Sequence, residues 1–165
     1  MEDLDKLIFE KRIITNYLFE DAQNLNLNIK ELSPDIGNII IQKAIKKFID
    51  PQKGPLLCYG IISPYVSASF PDEWGIIGEL QEVPENFFVF FDSYKDNHVI
   101  EINKISDFGK LVEETIVFTY YIVNKDLDFL IAWDAAHQVL IGTGKAQNWI
   151  KNLIKRRSDD AVLLQ

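Results

Sequence analysis

The chain has 165 residues, 47% of them hydrophobic and 12% aromatic, with a net charge of −8 and one cysteine, Cys58. That is enough apolar material for one packed core, no apolar run approaches the roughly 18–20 residues that cross a bilayer, and a lone thiol allows neither an internal disulfide nor a cysteine metal cluster. The acidic start, "MEDLDKLIFEKR", lacks a charged-then-apolar leader, so a cytoplasmic protein is expected.

Leu4, Leu7, Ile8, Ile14 and Leu18 recur on one side at helical spacing, and Glu2, Asp3 and Asp5 suit a helix N-terminus. "NLNLNIKEL" breaks that helix. A second helix is marked by Ser33 as N-cap, Pro34 in the first turn and Asp35 behind it, with Ile36, Ile40, Ala44 and Phe48 on one face, widened by Ile41 and Ile45. Asp50-Pro51 ends it. Residues 51–74 hold four prolines and two glycines among apolar and aromatic residues. They read as a packed, irregular crossover with a short strand over 57–62.

From Trp74 onward the pattern is that of strands: "WGIIGEL", then "NFFVFFDSY", which is apolar on both faces, then "HVIEI". A short helix is predicted over 104–113. "TIVFTYYIV" follows, and "DFLIAW" and "HQVLIG" flank Asp134-Ala135-Ala136 as a hairpin would. A last helix over about 144–156 would bury Ala146, Trp149, Ile150, Leu153 and Ile154, with Lys155, Arg156 and Arg157 complementing its C-terminus. The fold expected is a single α+β domain over 1–157, with N-terminal helices, a mainly antiparallel sheet of about five or six strands and a C-terminal helix. The helices are expected on one face of the sheet, and "SDDAVLLQ" (158–165) as a loose tail.

The charge is unevenly placed. Residues 71–101 carry eight acids (Asp72, Glu73, Glu79, Glu82, Glu85, Asp92, Asp96 and Glu101) against Lys95 alone, so nearly all the excess lies there. Nucleic-acid binding needs the opposite sign, because phosphate contacts dominate its affinity. A basic protein partner is favoured instead.

The chemical motifs fail on their spacing. "IGTGKA" resembles the end of a phosphate loop, but Val139 stands where its first glycine belongs and Ala146 where its hydroxyl belongs. Gly142 and Gly144 are read as allowing positive φ between a strand and a helix. "DSYKDNHVIE" offers Asp92 and Asp96 at calcium-loop spacing, but Asn97 replaces the obligatory glycine and Asn103 the bidentate glutamate. Asp134 and His137 could meet across a turn. General acid–base work would need a nucleophile as well, and no G-x-S-x-G occurs. A hydrogen bond closing the turn is the expected role. No cofactor, metal or catalytic residue is expected. Tyr59, Tyr65, Phe70, Trp74 and Tyr94 remain as aromatic anchors beside the acids.

At "YYIVNKDLDFLIAWDAAHQVLIGTG" (120–144) the chain resembles a group of small bacterial proteins whose C-terminal sheet pairs an aromatic strand with a "DFL…NHH…LIG"-like hairpin. Here Ala136-His137 stands in place of the doubled histidine. In size, charge and plan it is similar to immunity proteins of bacterial polymorphic-toxin and contact-dependent growth inhibition systems. That resemblance implies a partner protein and no catalytic residues. The expectation is an immunity-type protein that neutralises a basic toxin, a nuclease domain, through Asp72, Glu73, Trp74, Glu79, Glu82, Asp92, Tyr94 and Asp96. Alternatives are a small hydrolase using Asp134 and His137, or a regulatory adaptor.

Overall fold

The computed structural model describes residues 13–92, 98–115 and 118–163. The chain is α+β. Helix α1 (Ile13–Asn24) leads to strand β1 (Ile29–Glu31) and helix α2 (Pro34–Phe48). A 3₁₀ turn (Leu57–Gly60) precedes β2 (Tyr65–Ser69), and another (Ile76–Glu79) precedes β3 (Phe87–Phe91). Then come β4 (Ile100–Ile102), helix α3 (Ile105–Glu114), β5 (Tyr120–Val123), β6 (Phe129–Asp134), β7 (Val139–Gly144) and helix α4 (Ala146–Leu163). The sheet has seven antiparallel strands in the order β1-β4-β3-β5-β6-β7-β2.

Every residue of β5 and β6 is buried, so both faces of the sheet must be covered. One core takes Phe87, Val89, Phe91, Tyr120, Ile122, Phe129, Ile131 and Trp133 from the strands. It closes them with Leu18 and Ala22 of α1, Phe108 and Leu111 of α3, and Ala146, Ile150 and Leu153 of α4. The other takes Phe90, Tyr121, Val123, Leu130 and Ala132, and closes them with Ile41, Ala44 and Phe48 of α2 and with Cys58 and Ile61. The expectation of helices on one face is therefore corrected: α2 crosses to the far side, as the doubly apolar "NFFVFF" requires.

Other differences are local. "WGIIGEL" makes a 3₁₀ turn instead of a strand, because Gly78 and Gly109 let that backbone press on α3; a Cβ on Gly109 would lie 2.6 Å from the Gly78 Cα. The segment expected as a strand at 57–62 is mostly a 3₁₀ turn, with one bridge from Ile61 to Ile49. β1 and β2 are additional strands, which is why the sheet has seven. Gly144 has φ +63°, as expected of a turn. Gly142 does not; it is needed for space, since a Cβ there would lie 2.6 Å from Ile150 Cδ1. In α2 the buried stripe is Gly37, Ile41, Ala44 and Phe48, leaving Ile36 exposed. Residues 158–163, expected to be loose, continue α4. The first-helix residues Leu4, Leu7 and Ile8 lie outside the described residues.

Candidate functional site

α2 covers only part of its face of the sheet. Beyond it, Val139 and Ile141 of β7 and Tyr65 and Ser67 of β2 point to the same side, and with Cys58, Tyr59 and Ile61 they line a cleft of about 290 Å³. Tyr59 and Tyr65 are 43% and 49% exposed, against a buried Phe70 and a Trp74 packed edge-on against Trp133. Of the aromatic anchors expected from the sequence, only these two stand free; Tyr94 lies outside the described residues.

The wall of the cleft is fixed from beneath. The Asp92 carboxylate accepts the Leu57 N–H at 3.0 and 3.2 Å and the Tyr121 hydroxyl at 2.7 Å. The same hydroxyl accepts the Cys58 N–H at 2.8 Å. A carboxylate therefore terminates the chain of donors that holds the 3₁₀ turn on the sheet. Burial raises the Asp92 carboxyl above its usual range, although the Leu57 and Tyr121 hydrogen bonds oppose this and the Asp134 charge adds to it. Burial also pushes the Cys58 thiol up to about 11, with the charges of Asp134 and Asp92 contributing. At neutral pH it is a protonated, unreactive thiol. The Tyr59 hydroxyl is raised by partial desolvation and then by Asp134. Burial is the largest cause of all three shifts, and the nearby carboxylate charges add to it in the same direction.

Asp134 ends β6 and is 4% exposed. Its Oδ1 accepts the Ala136 and His137 N–H groups at 3.1 and 3.4 Å, and its Oδ2 meets His137 Nδ1 at 2.7 Å. The expected turn-closing bond is present. His137 is exposed outside the cleft lining, with its ring 6.3 Å from that of Tyr59. Asp134 and His137 meet, but they do not share the cleft with Ser67. Among the described residues no group of three or more His, Cys, Asp or Glu side chains could hold a metal ion, and no helix is long and apolar enough to cross a membrane.

A binding surface made of the acidic segment would leave its carboxylates unpaired within the chain, but several of them are paired with the basic C-terminal helix. Because α4 continues past Arg157, its two arginines lie against that segment instead of at a helix end. Arg157 binds both oxygens of Glu79 at 3.0 and 2.7 Å and reaches Glu73 at 2.6 Å. Arg156 reaches Glu82 at 3.2 Å and the Glu79 carbonyl at 3.0 Å. Asp92 is tied up below the cleft wall. Asp72 is exposed at φ +60°, where its N–H donates to Gln138 Oε1 at 2.6 Å. Asp96 lies outside the described residues. The cleft itself was missed by the sequence reading, although the alternation in "YVSAS" would have exposed β2 and the face it shares with β7.

No protein-family model matches the chain, and no curated protein and no solved structure matches it.

Proposed function

We propose that the chain is a cytoplasmic immunity-type protein that binds and neutralises a cognate basic toxin, a nuclease domain. The observation that carries this reading is the cleft between Tyr59 and Tyr65, apolar in its walls and negative from Asp92 and Asp134 behind it. A lysine or arginine of the partner gains there from the aromatic faces and from the carboxylates behind the wall together. Exposed tyrosines around a concave site are the usual anchors of a tight interface. The acidic segment then contributes mainly through Asp72, and through the long-range field of the −8 chain, which speeds encounter with a cationic partner. Asp134 and His137 shape the turn beside the cleft, and in this reading the chain is not an enzyme.

The test is co-expression with the C-terminal domain of the protein encoded immediately upstream. Protection of growth by the wild type, lost in Tyr59→Ala/Tyr65→Ala, is the expected result. A harmless upstream product, or equal protection by the double variant, would overturn the reading.

A further inference from the structure

β2 ends the sheet, and among the described residues no strand lies along its outer side. Its register against β7 runs from Tyr65↔Thr143 to Ser69↔Val139, and the Phe70 N–H continues it by donating to the Gln138 carbonyl at 2.9 Å. In an antiparallel pair, residues alternate between exchanging both hydrogen bonds with their partner and turning both groups away. Phe70, Ala68 and Val66 therefore face β7. Tyr65, Ser67 and Ser69 direct their N–H and C=O groups to the open side.

Sheet edges are normally guarded by charge, by proline or by a covering segment. Residues 54–71 carry no charged side chain, in a chain that is 25% charged overall. Tyr59, Ile62 and Tyr65, all exposed, stand in that same stretch. β1, at the other edge, is three residues long and carries Lys30 and Glu31.

We propose that the β2 edge pairs with the β2 edge of a second copy, antiparallel about a two-fold axis through Ser67. That axis sets Ser67 opposite its own counterpart and Tyr65 opposite Ser69 of the second copy. All three outward residues then exchange both hydrogen bonds, and a large side chain meets a small one across the strands. Charge selects the occupant. Two chains of net charge −8 repel one another, and this uncharged edge is where they approach without opposing like charges. The outward N–H and C=O groups of the edge carry no net charge, so the cationic partner proposed above is drawn to the cleft face and leaves the edge open. The contact is isologous and consumes β2 in both copies, so it closes at a dimer. Pro64 and Pro71 limit it to five residues, which makes the dimer concentration-dependent. It requires no toxin, so it stands or falls separately from the function proposed above.

The test is register-specific. In a glutathione redox buffer, Ser67→Cys should give a disulfide-linked dimer: two thiols lose two protons and two electrons to oxidised glutathione, which leaves as two reduced molecules. Paired residues of this kind lie about 5.5 Å apart at Cα, within disulfide reach. Ser69→Cys, facing Tyr65, should give no disulfide-linked dimer, and neither should the wild type, whose Cys58 is buried. Sedimentation of the unmodified chain provides a second measurement. The weight-average mass should rise with concentration for the wild type and not for Ser67→Lys, which sets two ammonium groups across the axis. Equal cross-linking of both cysteine variants, or a wild type that stays monomeric up to about millimolar concentration, would overturn the proposal.

Discussion

Arg157 of α4 grips Glu79 with two hydrogen bonds, 3.0 and 2.7 Å long, and thereby draws in a carboxylate that the linear charge pattern leaves free. Both side chains are more than a third exposed, so solvent screens the pair. Arg157→Ala should therefore change unfolding free energy by less than about 1 kcal/mol in a urea titration. It should also raise the association rate with a basic partner, because Glu73 and Glu79 become uncompensated. A large loss of stability would mean that the pair anchors α4.

Gly142 and Ile150 set the distance between β7 and α4. Gly142→Val should destabilise by about 1–3 kcal/mol through overpacking. Adding Ile150→Ala should recover part of that loss, since the Ile150 Cδ1 is the atom a new Cβ meets first. Additive losses in the double variant would show that the strand, and not the contact, is at fault.

Cys58 should resist alkylation. A thiol pushed from 9.0 to about 11 carries about a hundredfold less thiolate at pH 8 than an ordinary one. Iodoacetamide labelling should follow the rate of unfolding in urea. Fast labelling of the folded chain would place the thiol in the open.

The pH dependence follows from Asp92. Its folded-state carboxyl titrates above the ordinary value of 3.8 because burial disfavours the charged form. The native chain thus takes up this proton before the unfolded chain does. As pH falls through the raised value, the stability of the wild type relative to Asp92→Asn should increase, and the difference should level off below about 3.8. Urea titrations of both proteins between pH 7 and about 3 test this. A difference that shrinks with acid would mean that the charged carboxylate is the stabilised form. Tyr121→Phe should cost about 1–3 kcal/mol at neutral pH, since it leaves the buried Cys58 N–H without its acceptor.

The second half of the fold was the more legible in sequence. "YYIV", "DFLIAW" and "HQVLIG" are apolar or alternating runs separated by turn residues, and β5, β6 and β7 follow them. Ser33-Pro34-Asp35 marked α2, and Asp134 closes its turn as its spacing suggested. What stayed hidden depends on contacts between distant segments. "WGIIGEL" is strand-like in composition, yet its glycines meet Gly109 some thirty residues on, and backbone approach leaves no signal in hydropathy. Tyr59 and Tyr65 could be named as anchors, but not their cleft, because Val139 and Ile141 reach it only through β2–β7 pairing. The charge count placed the acids correctly along the chain. It could not show that α4 would carry Arg156 and Arg157 back to them.

The most direct test of the proposed binding role is surface-plasmon kinetics of the chain against the C-terminal domain of whatever protein is encoded immediately upstream, at low and at physiological salt. The wild type should associate more slowly as salt rises, because screening acts over roughly 8 Å at physiological ionic strength. Tyr59→Ala/Tyr65→Ala should dissociate at least about a hundredfold faster with little change in association, whereas Asp72→Lys should slow association with little change in dissociation. Binding that is indifferent to both tyrosines and to salt would contradict the account: the interface would then lie away from the cleft, and the charge would serve only solubility.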